Sequence, residues 1–351
     1  MITRRLIGGI VLMAAALGVA ACGGSGSDGD GRSGSTGATS TSAASDRPLD
    51  GAKIAVLVPA LSNSYQTAEV NEIKARAAAA GASVDVFDGA FDPQKQYAQF
   101  QDAITTGRYK AILVSPFNGP AIASLVPRAT KAGIVVGGFN TPIGADYETN
   151  EPSTPGVSFQ VLRAMATSGS NSGKLVAEAC ADKDPCRVGY LFIQKGSPPD
   201  VALRDGFDEA VRGTGVEIVA EGNSQASRTG TLKAMQDILT AHRDIDVVAG
   251  MNVSPDAARQ AIAKAGLGHD VAIVSISGSR QAAKAVDDGT FYGIATSVPA
   301  TEGGLAVDAL AKAMATGEEL GGIDPVVAGR IPGEGRITKA NVTEFRPEYD
   351  E

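Results

Sequence analysis

From Lys53 onward the chain alternates between two hydrophobic rhythms. Short apolar runs rich in β-branched residues give way to longer stretches in which apolar positions recur at helical spacing. The first run, Lys53 to Val58 (KIAVLV), breaks at Pro59 into a polar loop and reopens as a helix near Tyr65. Strands are expected at 53–58, 83–87, 111–115 and 134–138, followed by helices at about 65–80, 94–106, 119–132 and, after a long loop, 169–180. A second series places strands near 187–193, 216–220, 246–250, 271–276 and 291–296, with helices near 199–212, 229–241, 255–265 and 279–288 between them. Two consecutive strand-helix series predict an α/β chain with two doubly wound parallel-sheet lobes. A helix at about 301–316 and a strand near 326–330 are left over; the helix is expected to cross back to the first lobe and the strand to the second. In open α/β sheets ligands sit beyond the carboxyl ends of the strands, which places Ser62, Asn63, Ser64 and Tyr65 against one.

The pattern changes before residue 49. Met1 to Ala21 carries Arg4 and Arg5 and then an apolar region from Leu6 to Val19, the layout of an export signal and too short for a convincing membrane span. Val19-Ala20-Ala21-Cys22 resembles the lipobox of bacterial lipoproteins, which implies that Cys22 becomes the new N-terminus and carries lipid on its sulfur. Gly23 to Ser45 is almost entirely Gly, Ser, Thr, Ala and Asp, a composition that cannot bury enough surface to fold. A signal peptide at 1–21, a lipidated tether at 22–48 and a folded body starting near Leu49 are therefore expected.

Length and charge narrow the function classes. A chain of 351 residues suits two lobes, because single cores stop growing near roughly 250 to 300 residues. Its formal charge of −8 argues against nucleic acid or an anionic membrane surface as a partner, and leaves the lipid as the expected membrane contact. Cys180 and Cys186 flank a helix-to-strand turn, and export puts them where a disulfide persists; free thiols or a metal pair are the other readings. His242 and His269 are the only histidines, so no metal is expected. No organic cofactor is expected either: the glycines at 133–138 and 329–335 lack the Gly-Lys-Ser/Thr ending of a phosphate loop. An exported α/β enzyme would need a nucleophile with its base, and neither histidine sits beside a Gly-x-Ser-x-Gly elbow. Carboxylate-only chemistry stays formally open, since Glu148, Glu151 and Glu302 cannot be placed from sequence.

The run Asp92-Pro-Gln-Lys-Gln96, followed by Gln99, Gln101, Ile104, Gly107 and Ala111-Ile-Leu-Val-Ser-Pro116, resembles the ribose/galactose-type substrate-binding proteins of ABC importers. So do Arg204-Asp-Gly-Phe207, Met235-Gln-Asp-Ile-Leu-Thr-Ala-His242, and Asn252 after the strand Val247 to Ala249, in the same order from about Lys53 to Leu320. The resemblance implies the type I periplasmic-binding-protein fold: two lobes joined by three crossings, here near Ala166, Ser297 and Pro325, that close on one small ligand. Lobe 1 is expected at 49–165 plus 298–325 and lobe 2 at 166–297 plus 326–345.

The resemblance also implies a ligand set: Asn63, Ser64, Tyr65, Phe139 and Asn140 from lobe 1, and Arg204, Asn252, Ser277 and Ser297 from lobe 2. Four of these depart from the family: Asn140 and Ser277 stand where an Asp is usual, Ser297 replaces a polar hinge residue that is often Gln, and Arg204 lies one place from where the usual Arg falls. An ionised Asp accepts at about four lone-pair sites, whereas Asn both donates and accepts and Ser offers one hydroxyl. That shifts the expectation from a common aldose towards a modified sugar, a polyol or another polar solute, with Tyr65, Phe117 and Phe139 available as ring faces. Simpler roles compete: Asn63 as a helix cap, Phe139 in the core, Arg204 paired with Asp200, Asp205 or Asp208, and Asn252 in a turn. The expected function is that of a monomeric, lipid-anchored, extracytoplasmic receptor that binds a small solute and delivers it to the transmembrane subunits of an ABC permease. Signalling to a sensor kinase or chemoreceptor is the alternative, and an exported enzyme the minor one.

Overall fold

The computed structural model describes residues 47–267 and 269–351. The expected signal peptide, Cys22 and all of the tether before Arg47 lie outside the described residues. Leu49 is already buried in a core, so packing begins where the composition changes.

The first sheet takes shape from β1 (Lys53–Val58), α1 (Ser64–Ala79), β2 (Ser83–Asp88), α2 (Pro93–Thr105), β3 (Ala111–Val114), α3 (Gly119–Ala123), α4 (Val126–Lys131), β4 (Val135–Phe139) and β5 (Val157–Val161). The second follows as α5 (Met165–Ala179), β6 (Cys186–Phe192), α6 (Pro198–Val211), β7 (Val216–Asn223), α7 (Arg228–Ala241), β8 (Val247–Met251), α8 (Pro255–Ala265), β9 (Ala272–Ile276), α9 (Arg280–Asp287) and β10 (Gly293–Ala295). The chain then returns to the first sheet through α10 (Pro299–Thr316) and β11 (Gly321–Ile323), and to the second through α11 (Pro325–Ala328) and β12 (Arg336–Thr338). Strand orders are β11-β5-β4-β3-β1-β2 and β12-β10-β9-β8-β6-β7, and every pairing is parallel except that of β10 with β12. The fold is thus two doubly wound lobes, with the chain crossing between them at 162–164, 296–298 and 324–335.

Burial on both faces explains the apolar runs. Ile54, Val56 and Val58 of β1 pack under α1 and α10, while Ala55 and Leu57 pack under α2 and the helices after β3. Parallel strands covered by helices on either side have no solvent face, so they carry no alternation. The helices begin where polar side chains satisfy their first amides: Asn63, Asp92, Asn118, Ser227, Ser254 and Ser279 each accept from a backbone N–H one turn in. In the second lobe α5 and α6 touch through glycine, since a Cβ at Gly169 would lie 1.9 Å from Leu203 O and one at Gly206 would lie 2.0 Å from Ala166 O. Cys180 and Cys186 are bonded, closing the turn from α5 to β6.

Three differences from the sequence expectation have local causes. Residues 326–330 form no strand: Asp324 caps Val326 N, Pro325 supplies a helical φ, and a short helix results. The strand that returns to the second sheet is β12, ten residues later. The helix expected over 119–132 is two helices, because Pro127 has no N–H to continue the ladder. The long loop after β4 holds β5, and β11 extends that edge; Val157–Val161 alternates with Ser158 and Gln160, so its pattern is weaker than that of its neighbours.

A Cys180→Ser, Cys186→Ser double variant should lose at most about 2 kcal/mol of unfolding free energy, the scale for so short a closed loop. Urea denaturation checks this, and a loss well beyond that figure would mean the bond holds more than one turn.

Candidate functional site

The carboxyl ends of both sheets face one cleft of about 870 Å³. Lobe 1 contributes the residues after β1 (Ser62, Asn63, Ser64, Tyr65, Gln66) and after β4 (Asn140); lobe 2 contributes those after β8 (Asn252, Ser254), with Ile276 at the end of β9 and Thr296 and Ser297 after β10. Asn140 and Asn252 occupy matching places, each immediately after a strand and each with φ in the left-handed region, 61° and 52°. Asparagine tolerates that conformation better than other residues with a side chain, so the sharp exit from the strand selects it. The Asn140 N–H faces Val161 O and Glu302 Oε1, and the Asn252 N–H donates to Ile276 O at 3.0 Å. The backbone is thereby fixed and the amide groups stand at the cleft.

Asn63 caps its helix as expected and also stands at the cleft. Its Oδ1 accepts from Tyr65 N at 2.9 Å and Gln66 N at 3.4 Å, capping α1, and the residue also lines the cleft. Tyr65, one position into that helix, donates its hydroxyl to Glu302 Oε2 at 2.7 Å. Glu302 lies in the first turn of α10, directly after a crossing, and its other oxygen takes the Asn140 N–H at 2.9 Å. One carboxylate thus ties the start of α1, the end of β4 and the start of α10 together beneath the cleft floor.

Beside it lies a second buried acid. Glu69 has no exposure, and no N–H or O–H group among the described residues meets its oxygens with hydrogen-bond geometry. Its polar neighbours are the Glu302 carboxyl and the Asn140 side chain. Burial pushes both carboxyls up, Glu69 well above the ordinary value of 4.5 with the Glu302 charge adding to the rise. Two adjacent buried carboxyls cannot both ionise, and Glu302 has the donors, so the shared proton belongs to Glu69. Burial, and next the charge of Glu302, also push the Tyr65 hydroxyl up, so it stays a donor.

The lobe 2 rim is charged. Asp256 and Asp288 flank Arg259 at 2.6 and 3.7 Å, and Lys284 reaches Asp288 at 3.1 Å. The Thr290 hydroxyl above all holds the Asp288 carboxyl down at about 2. Where two crossings run side by side, Arg163 binds both oxygens of Asp324 at 3.2 and 3.1 Å and donates to Glu334 O. Among the described residues no group of three or more His, Cys, Asp and Glu side chains is arranged to hold a metal.

Asn63, Ser64, Tyr65, Asn140, Asn252 and Ser297 come together on the cleft. The other three expected residues do not. Phe139 is wholly buried in the core under α1 and α10, where β4 points it. Arg204 lies on α6, held by Asp208 at 2.7 Å and Glu221 at 2.6 Å with its guanidinium over the Tyr190 ring. Ser277 is 1% exposed, its hydroxyl donating to Glu351 Oε1 at 3.0 Å. Phe117 is exposed and meets Phe91 edge-on outside the cleft, so of the three expected ring faces Tyr65 alone lines it. A second ring comes from Tyr349, whose centroid stands 5.3 Å from that of Tyr65. Tyr349, Glu351, Glu302 and Arg163 carry no motif; Asp256 and Arg259 follow Asn252 closely enough on α8 to have been included with it.

Residues 54–319 match the family described as periplasmic binding protein domain. The ribose import binding protein of Escherichia coli (strain K12) is 26% identical over 264 residues, covering 74% of this chain and 84% of that protein. The D-allose-binding periplasmic protein of the same organism is 26% identical over 284 residues, covering 78% and 87%. The solved structure of an ABC transporter solute binding protein from Mycobacterium smegmatis with bound glycerol matches with a TM-score of 0.69 and 25% identity, covering 86% of this chain and 99% of that one.

The acid pair sets a pH dependence. Above the ordinary value of 4.5 the unfolded chain releases protons that both folded carboxyls keep, Glu302 until about 7, so this contribution to stability is present below 4.5 and declines as pH rises towards the raised folded values. The slope is about 1.4 kcal/mol per pH unit for one proton. Glu69→Gln, a permanent mimic of the neutral acid, should match the parent near pH 4.5 and exceed it in urea midpoint at pH 8. Equal midpoints at pH 8 would place the proton elsewhere.

Proposed function

The chain belongs to the periplasmic binding protein domain family, and from that premise we propose that it is an extracytoplasmic solute receptor that closes on a small, polar, sugar-like ligand and hands it to an ABC permease. The observation that carries this reading is the cleft itself: two sheets end against it, and each contributes one asparagine fixed at a strand exit. A ligand bridging Asn140 and Asn252 gains contacts only when the lobes are together, so occupancy shifts the population towards the closed form by that difference in contacts. The clamp halves are 49–165 with 298–325 and 166–297 with 326–345, held to the membrane through lipid on Cys22 and acting as a monomer, while 1–21 directs export.

Asn63, Ser64, Tyr65, Asn140, Asn252 and Ser297 are the ligand contacts in this reading. They offer neutral donors and acceptors and one phenol ring, a set suited to hydroxyl-bearing solutes. The relatives are named for ribose and D-allose, which makes aldoses the first class to try.

A thermal-shift screen of the purified protein with D-ribose, D-allose, glycerol, xylitol, nucleosides and amino acids should single out one class. A solute at a hundred times its Kd raises stability by about 2.7 kcal/mol. Asn140→Gly and Asn252→Gly keep the left-handed backbone while removing the amide, and each should weaken binding by about 1–3 kcal/mol. Arg204→Ala, away from the cleft, should leave binding unchanged. A shift that survives both glycine variants would move the ligand out of this cleft.

A further inference from the structure

Residues 346–351 lie beyond the last strand and outside both halves of the clamp, yet they reach its centre. Glu348 accepts from Thr301 N at 3.0 Å and Thr301 Oγ1 at 2.5 Å, placing a carboxylate at the N-terminal turn of α10 in lobe 1. Tyr349 then turns inward. It is 7% exposed, its ring meets Tyr65 of lobe 1 edge-on, and its hydroxyl accepts from Gly278 N of lobe 2 at 3.1 Å. Arg280 N donates to Tyr349 O at 3.0 Å, and Arg280 pairs with Asp350 at 3.1 Å. Glu351 N donates to Gln281 Oε1 at 3.0 Å while Ser277 Oγ donates to the Glu351 side chain. The segment is therefore fastened to the first turns of α9 and α10 together, one in each lobe.

What it covers is the end of β9. Neither of the first two residues there presents a side chain to the cleft: Ser277 is buried beneath Glu351, and Gly278 has no room for one, since a Cβ would lie 2.0 Å from Ser297 O. At this strand end the cleft is lined by Tyr349 and Glu351 together with Gln281 and Lys284 of α9, and the ring and the carboxylate among them come from Tyr349 and Glu351. Asn252 and Asn140, the matched asparagines, are neutral; Glu302 is a carboxylate spent on Tyr65 and Asn140 N–H. Glu351 is exposed, and the single hydrogen bond its carboxylate makes among the described residues is to Ser277. It is an acceptor with capacity left for ligand hydroxyls.

We infer that Tyr349 and Glu351 are specificity-determining ligand contacts, and that the segment 348–351 is a strap that completes the cleft by bringing a ring face and a carboxylate to a strand end that has neither. This rests on the receptor reading above. It also makes lobe closure and strap seating one event, because Tyr349 touches Tyr65 and Gly278 at once.

Two measurements on the full-length, detergent-solubilised protein test the assignment. Calorimetry with D-ribose and D-allose should show affinity falling roughly ten- to a hundredfold in Glu351→Gln and in Tyr349→Ala, the range for a lost hydrogen bond to a charged or buried partner. Arg204→Ala serves as the unchanged control. Hydrogen exchange without any sugar should show the Gly278 amide exchanging about tenfold faster in Tyr349→Phe, which keeps the ring and deletes the acceptor. Unchanged affinity in both variants overturns the assignment, and tighter binding overturns it in favour of a strap that competes with ligand. If the parent protein binds neither sugar while Gly278 exchange responds, the aldose reading of the receptor and the two ligand contacts fall, and only the seating of the segment stands. If the parent protein binds neither sugar and Gly278 does not respond, the seating falls with them.

Discussion

Parallel pairing forces every strand of a sheet to finish on the same edge, and the polar chemistry of this molecule follows from that constraint. Where β1, β4, β8, β9 and β10 stop, the ladder gives out within a residue or two and the amides beyond it must find other partners. Asn140 N–H adds Glu302 to its last ladder bond to Val161 O, Asn252 N–H makes the last ladder bond of its strand to Ile276 O, and Gly278 N–H, past the ladder, finds the Tyr349 hydroxyl. The groups that satisfy these amides are the groups that floor and wall the cleft. Two such edges set against each other, joined by three short crossings, leave a polar cavity as the necessary remainder.

Most of the architecture was legible because burial on both faces writes itself into sequence as uninterrupted runs such as Ile54–Val58 and Ile112–Val114. The strand ends were legible for the same reason, and Asn63, Tyr65, Asn140 and Asn252, read from those ends, stand at the cleft. Side-chain direction at a strand terminus was not. Phe139 and Asn140 are neighbours, and a period of two sends one to the core and the other to the cleft, so a shift of one residue reverses the assignment. Arg204 was misplaced because its partners include Glu221 on β7, a pairing no local pattern shows. Ser277 lies at the right strand end but beneath a segment 74 residues further along. Contacts of that separation, like the Glu69–Glu302 pair, leave no periodicity to read.

The buried acid pair shows how the site is built against stability. A neutral Glu69 beside Glu302 lacks the full set of partners that an apolar core would not need, and an uncompensated buried carboxyl destabilises. The compensation is positional. With Glu302 fixed by two donors, Tyr65 and Asn140 have one arrangement each, and both stand at the cleft already oriented. On the receptor reading proposed above, side chains set in this way lose less freedom when a ligand arrives.

Closure then depends on how few connections must bend. Arg163 and Asp324 sit on two different crossings and hold each other through both carboxylate oxygens, with side chains 11% and 19% exposed, so these two strands of the hinge move as one. The third crossing, 296–298, packs against Gly278 without space for a side chain. It carries Ser297 on the cleft and leads straight into Glu302. A change in lobe angle at this crossing is therefore felt at once by Tyr65 through Glu302 and by Gly278 through Ser297. Tyr349 spans the same two residues from the opposite side, so the angle at which its contacts are made is also the angle at which the asparagines of the two lobes face one another.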